Sequence, residues 1–400
     1  MRSYAQSFAG GATPSKREFE KYYSDTLTGI PFLRVQNLQT NGELSLNECI
    51  YINEETHNGL LKRSQVSEGD LLVKITGVGR MAIASVAPED FVGNTNQHMV
   101  VIKTGDSSIS KYLAHYLNLD IIEQIASRHS TGGTRPALDY PSLKNIPIIE
   151  GLDFSIIDNA IKAKKAKEVE AQQLLDSIDN YLLKELGITI PNVDNELNNR
   201  IFFSSFRKIE GNRIDPIYSL YLGKNASSIE YENTSLRSIA HIVKGNALSS
   251  SDVEDGNIPV IAGGQTSPYS HNQANYEGNV ITVSASGAYS GYVWYHDYPI
   301  YATDCCVIYS KDELRYMTKY LFEVLKLQQK GIYRLQTGAA QPHVYATDLQ
   351  MLNIPIVSID KQRDIVNHIA DIRTHAKALQ AEGKVILEDA KRKVEQMIIG

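Results

Sequence analysis

The chain repeats itself once, and that restricts its fold more than any single motif does. Thr131-Gly132-Gly133-Thr134-Arg135-Pro136, followed by Ile146-Pro147-Ile148, returns as Thr337-Gly338-Ala339-Ala340-Gln341-Pro342, followed by Ile354-Pro355-Ile356. In the same order, Ile30-Pro31 returns as Ile258-Pro259, Gly69-Asp70-Leu71-Leu72 as Gly278-Asn279-Val280-Ile281, Thr95-Asn96 as Thr303-Asp304, and Tyr112-Leu113 as Tyr320-Leu321. Gly11-Ala12-Thr13-Pro14-Ser15 is a looser counterpart of Gly245-Asn246-Ala247-Leu248-Ser249. A period of about 200 residues is too long for a solenoid and marks a duplicated domain.

Both copies change character in the same way along the chain. GDLLVKITGVGRMAIASV and GNVITVSASGAYSGYVWY are β-branched and aromatic runs broken by glycine, which predict strands joined by tight turns. Short helices are predicted at 111–125 and 317–329, and each Ile-Pro-Ile is predicted to be a strand. Then come long helices. From Ser155 to Leu186 there is no Gly or Pro, Ser155 and Asp158 have capping-box spacing, and Gly187 offers a C-cap before Pro191. From Lys361 to Ile399, Ile365, Ile369, Ile372, Ala376, Leu379, Gly383, Ile386, Ala390, Val394 and Met397 recur in steps of three and four. The first helix has a poorer seam, clear only from Ala171 through Leu174, Leu175, Ile178 and Leu182. Helices of this length need a partner, and each is the other's nearest candidate. The expected fold is α+β: two similar β-rich domains separated by two long antiparallel helices. The boundaries are 1–150 for the first domain, 151–190 for the central helix, 191–357 for the second domain and 358–400 for the C-terminal helix.

Composition narrows the class. Apolar residues are 42% and charged residues 22%, with mean hydropathy −0.26, as expected of a water-soluble globular chain. No apolar run approaches the roughly 18 residues of a membrane span, and Met1–Gly11 has no signal-peptide core, so a cytoplasmic location is expected. The three cysteines, Cys49, Cys305 and Cys306, have neither zinc nor disulfide-framework spacing. Net charge is −6, so any nucleic-acid surface has to be local.

Strings that suggest catalysis stand in the wrong context. Asp215-Pro216-Ile217-Tyr218 resembles an amino-methyltransferase tetrapeptide and Phe8-Ala9-Gly10-Gly11 a cofactor loop, but no strand, glycine loop and helix followed by an acidic residue accompanies either. Glu382-Gly383-Lys384 has nuclease-like spacing on the heptad helix. Ser284 and Ser286 before Gly287 do not form a nucleophile elbow. Neither an enzyme, a cofactor nor a metal is expected.

Two copies of a globular unit, each closed by a T-G-x-x-x-P loop, an I-P-I segment and a long helix, resemble the specificity subunit of type I restriction-modification systems. The second copy carries the likeness most fully, through Arg213-Ile214-Asp215-Pro216-x-Tyr218, Pro259-Val260-Ile261-x-Gly263-Gly264 and Lys361-Gln362-Arg363-x-Ile365-Val366. The resemblance implies a non-catalytic subunit whose two domains each read half of an interrupted DNA sequence. It also implies helices that dock methyltransferase subunits, two per chain, with a restriction/translocase subunit joining later. A related system with a fused methyltransferase-nuclease partner, or a duplicated protein scaffold without a DNA role, are the alternatives.

Residues of DNA-reading type in the repeated loops are the candidate contacts. In copy one these are Lys16, Arg34, Gln36, Asn37, Lys74, Arg80, Asn96, Gln97, Thr131, Thr134 and Arg135; in copy two, Lys244, Gln265, Thr266, Tyr269, Ser286, Tyr289, Thr337, Gln341 and His343. Each also suits a turn or strand cap. Leu174, Ile178, Leu182, Ile365, Ile369, Ile372, Leu379 and Ile386 are expected to pack helix on helix. Lys162, Lys164, Lys165 and Lys167 form a basic run whose default is a solvated face. The first copy has no counterpart of 201–241, so its opening strand and helix have no evident source.

Overall fold

A computed structural model describes residues 1–25, 28–189, 203, 228–249 and 251–400. The chain divides into two units, Met1–Val169 with Leu379–Gly400, and Glu170–Ala378. The Asp215–Tyr218 string lies outside the described residues.

In the first unit, β1 (Ser7–Gly10), β3 (Leu71–Lys74), β4 (Ala84–Val86) and β6 (Met99–Lys103) form an antiparallel sheet in the order β1-β6-β3-β4. Two further strands, β2 (Ile30–Leu33) and β5 (Val92–Thr95), run parallel in a second sheet, with Leu33 beside Thr95. In the second unit, β7 (Ala240–Lys244), β9 (Val280–Ser284), β10 (Val293–His296) and β12 (Cys305–Ser310) pair antiparallel in the order β7-β12-β9-β10. There β8 (Ile258–Ile261) and β11 (Tyr301–Ala302) run parallel, with Ile261 beside Ala302. The two sheet orders are the same, as a duplicated domain requires. β1 occupies the position of β7, so the first copy has the edge strand of this sheet. The Met1 ammonium donates to the Ile146 carbonyl at 3.0 Å, and the Leu236 amide donates to Leu352 at 2.9 Å, so in each unit the segment ahead of the first sheet strand is tied to the turn after the clamp.

These strands read as unbroken apolar runs because both sheet faces are covered. Leu71, Val73, Val100 and Ile102 face the helical core of the first unit, while Leu72, Met99 and Val101 face a second cluster. Correspondingly, Ile281, Val283, Cys306 and Ile308 face the helices of the second unit and Val280, Cys305 and Val307 the other side. Burial pushes the Cys305 thiol up to about 12 and Cys306 to about 11, so these thiols are core groups rather than nucleophiles.

The first predicted short helix is two, α1 (Ser107–Leu117) and α2 (Asp120–Arg128). Between them the Asn118 amide donates to the Ala84 carbonyl at 2.7 Å and accepts the Ala84 N–H at 3.2 Å, clamping the edge strand β4. Gln329 does the same in the second unit, donating to Gly291 and accepting from Val293. Ile146-Pro147-Ile148 is not a strand, whereas Asn353–Pro355 pairs with Asn233–Ser235. No such partner strand exists beside the first Ile-Pro-Ile among the described residues.

The long helices are α3 (Ser155–Glu185) and, after α4 (Thr318–Leu327), α5 (Ile359–Ile399). Asp153, not a Ser155–Asp158 box, caps α3: its carboxylate accepts the Ser155 N–H at 2.8 Å, while Asp158 pairs with Lys111 at 2.9 Å and His115 at 3.0 Å. Within the first unit, Ile157, Ala160 and Ile161 of α3 share a core with Leu387, Ala390 and Val394 of α5, and Ile386 flanks it. Gly383 lets the helices approach, since a Cβ there would stand 3.2 Å from Lys164 Cγ. Within the second unit, Ile178 and Leu182 pack with Ile365 and Ile369, flanked by Leu175 and Ile372. Residue numbers run in opposite directions along the two helices in each unit, so the segments are antiparallel. The sequence seam needs two changes. Leu175 rather than Leu174 joins the core, and Met397 is 54% exposed. Leu379 is buried.

Gln362, which opens the second seam, is fully buried; it accepts the Met317 N–H at the start of α4 and donates to Arg315 and Val357 carbonyls. Nearby, Arg373 forms a two-pronged pair with Glu323, whose side chain is 1% exposed, and covers the Phe322 ring. Arg373→Ala would strand that buried carboxylate. Breaking a fully buried pair costs about 3–5 kcal/mol; because Arg373 is itself 37% exposed, a loss of about 2 kcal/mol is expected from urea unfolding.

Candidate nucleic-acid interface

The T-G-x-x-x-P segment forms the same clamp in each unit. Thr131 and Ala137 exchange backbone hydrogen bonds of 2.9 and 2.8 Å, and Thr337 and His343 exchange bonds of 2.9 and 2.7 Å. Gly132 and Gly338 turn the loop at φ 101° and 100°, a region open to glycine. A second loop, running from β3 to the edge strand β4 in the first unit and from β9 to the edge strand β10 in the second, is pinned to the clamp. Gly77 N–H donates to Pro136 O at 3.0 Å, and Gly287 N–H to Pro342 O at 3.0 Å. Next, Leu138 N–H reaches Ile75 and Val344 N–H reaches Ala285.

A third strand of chain crosses beside these loops. Asn96 N–H donates to Leu33 O at 3.2 Å and Thr303 N–H to Ile261 O at 2.8 Å. Backbone equivalence therefore aligns Asn96 with Thr303 and Gln97 with Asp304, one residue away from the sequence alignment. Gln97 bonds Thr13, and Asp304 accepts from Ser286. Gly263 lies against this second cluster, where a Cβ would stand 2.6 Å from Ser286 O.

The candidate contacts separate by burial. In the first unit Lys16, Gln36, Gln97, Thr131, Thr134 and Arg135 are exposed. Arg34 is half-buried and donates to Glu48 O at 3.0 Å, while Arg80 binds Asp120 and the Asn118 carbonyl. Three others serve the loops themselves. Lys74 is 3% exposed with its ammonium on Val78 O at 2.7 Å. Asn37 is fully buried, accepting Arg34 N–H and donating to Ser45 O. Asn96 is 7% exposed and accepts His98 N–H. All three side chains are buried and bond inside the unit. In the second unit Lys244, Gln265, Thr266, Tyr269, Tyr289 and Gln341 are exposed, and Ser286, Thr337 and His343 are half-buried. The His343 and Tyr345 rings stack at 6.1 Å.

Sequence reasoning passed over Val78, which is 77% exposed at a loop apex; the glycines on both sides were the available signal. The basic run of α3 is mostly paired: Lys165 with Glu43 at 2.6 Å, Lys167 with Glu382 at 2.6 Å and Lys164 with Glu168 at 3.5 Å. Among the described residues no cluster fit to hold a metal ion is present, and no helix is long and apolar enough to cross a membrane.

The family model of the type I restriction modification DNA specificity domain matches residues 5–149 and 228–384. The chain belongs to this family. The two matched segments of the specificity-domain chain hold the two sheet systems and both clamps. A solved structure concerned with complex assembly and conformational transition of the type I R-M system aligns over 99% of this chain and 94% of its own, at 14% identity and TM-score 0.50. That likeness establishes a shared fold. The S subunit of a type I restriction-modification system from M. genitalium aligns over 97% and 93% at 15% identity and TM-score 0.44. The HsdS subunit from Thermoanaerobacter tengcongensis aligns over 100% and 94% at 13% identity and TM-score 0.40. No curated protein matches the chain in sequence.

Proposed function

We propose that this chain is the non-catalytic DNA-sequence specificity subunit of a type I restriction-modification complex and reads a bipartite, interrupted target. Residues 1–150 and 191–357 read one half each. The helices of 151–190 and 358–400 dock two methyltransferase subunits, which bind S-adenosylmethionine and carry out methyl transfer; a restriction/translocase subunit completes the complex in the cytoplasm. The observation that carries this reading is the repetition of one exposed loop clamp, with the same backbone bonds, on two copies of one sheet. Duplication gives a single chain two similar faces, which suits two half-sites. Exposed Val169 and Val385, each 56% exposed on the long helices, provide apolar area outside the helix seam for a partner.

The test is co-purification with the candidate methyltransferase subunit, followed by sequencing of duplexes that the complex retains. Enrichment of two defined half-sites with a fixed gap is the expected result. A single half-site would restrict reading to one unit, and no enriched motif would favour the scaffold. Salt provides an independent readout. Contacts to about six phosphates reduce affinity about 10³-fold between roughly 50 and 200 mM salt, whereas a helix-mediated scaffold shows no such slope.

A further inference from the structure

We infer that Val78 reads the C5 methyl of a thymine in the major groove of the DNA that the first unit binds. The inference rests on the DNA-reading function proposed above and names one chemical feature of the target.

Val78 is 77% exposed and stands between Gly77 at φ 119° and Gly79 at φ 80°. Nothing lies within 4 Å of where a Cβ on Gly79 would be, so the apex presents one narrow apolar side chain with little backbone bulk around it. The base of this loop is fixed from two sides. Gly77 N–H is held by Pro136 O at 3.0 Å, and the buried Lys74 ammonium donates to Val78 O at 2.7 Å. Burial lowers the Lys74 pKa from its usual range. Lys74 is the last residue of β3, so its inward-turned ammonium ties the Val78 carbonyl to the sheet. In the second unit Gly287, at φ 84°, is likewise held by Pro342 O, and the loop it opens carries Tyr289, 48% exposed; among the described residues no lysine donates to the Tyr289 carbonyl, so only the glycine anchor recurs there.

An isopropyl group gains nothing from a phosphate or from a hydrogen-bonding base edge. In the major groove, the apolar feature on the base edges is the thymine methyl. Valine also loses little rotamer freedom on contact, because its χ1 is already restricted. A rigid apolar tip therefore rewards thymine over cytosine at one position, while Thr131, Thr134 and Arg135 on the adjoining clamp hold polar edges or phosphates.

The experiment uses the full chain with its methyltransferase partner and a duplex recovered by selection, in which each thymine in turn is replaced by deoxyuracil. One replacement is expected to weaken binding about four-fold, the worth of one methyl removed from a contact. Val78→Ser should weaken the thymine duplex by a similar factor and abolish the difference at that position alone, with an unchanged thermal midpoint because the residue is exposed. Uracil duplexes that all bind like the parent, a variant that still discriminates, or a selected motif without thymine would overturn the inference. Failure to enrich any motif would instead overturn the DNA-reading function itself.

Discussion

Gly245→Ala and Gly11→Ala are each expected to destabilise their own unit by at least about 3 kcal/mol, at the upper end of what an overpacked methyl costs. A Cβ on Gly245 would stand 2.2 Å from Thr303 O and 2.8 Å from Ala302 O; on Gly11 it would stand 2.0 Å from Thr95 O and 2.4 Å from Asn96 O. The obstacles are backbone carbonyls, so no rotamer change relieves the clash. Nor are they free to move. Gly245 N–H is bonded to Cys305 O, Asn246 N–H to Ala302 O and Thr303 N–H to Ile261 O, at 2.8, 3.0 and 2.8 Å. These glycines mark the places where the strand leaving one sheet crosses the end of the parallel pair. Urea unfolding of each variant measures the loss. A change below about 0.5 kcal/mol, within the range of ordinary surface substitutions, would show that the carbonyls at the crossing give way to a methyl. Because the two residues occupy one place in the repeat, the two variants should also give similar losses, while an alanine at exposed Gly133, which has no neighbour within 4 Å, should give little.

The sequence made the duplication and the strand and helix types readable because both rest on simple periodicities. Apolar steps of three and four placed Ile365, Ile369 and Leu379 in the seam, and all three are buried. What escaped was decided by tertiary partners. The strand character of Ile146-Pro147-Ile148 depends on a neighbouring chain segment, not on its own residues. Asp158 has the spacing of a capping residue but lies within reach of Lys111 and His115, and that stronger charge pairing prevails. The one-residue shift between Asn96 and Thr303 is set by a backbone bond to the parallel strand, to which side-chain identity is blind. For the candidate interface, residue type identified the loops but not the direction of each side chain. Lys74 and Asn37 look like ideal DNA contacts and point inward, whereas Val78 looks like a core residue and points out.

Acid is expected to weaken the second unit through His296. This residue is fully buried, with Nε2 at 2.8 Å from Thr282 Oγ1 and Nδ1 at 3.4 Å from the Tyr298 hydroxyl. Desolvation holds its pKa down at about 4 from the usual 6.5, and nearby Asp297 opposes this only weakly. Between those two values the unfolded chain takes up the proton and the folded chain does not. The stabilisation is therefore complete above about pH 6.5 and falls as pH drops towards 4, by about 2 kcal/mol at pH 5 and about 3 kcal/mol at pH 4. His115 in the first unit is shifted the same way, burial outweighing Asp158, so it adds a loss of the same sign in its own unit. Depressed carboxylates such as Asp106 and Asp139 lose their contribution only at lower pH. The only tryptophan, Trp294, lies 4.7 Å from the His296 ring, so its fluorescence reports unfolding at this place. In urea titrations, His296→Gln should lose about 2 kcal/mol less than the parent between pH 7.5 and 5; an unchanged loss would mean that the buried imidazole is not what makes this unit acid-sensitive.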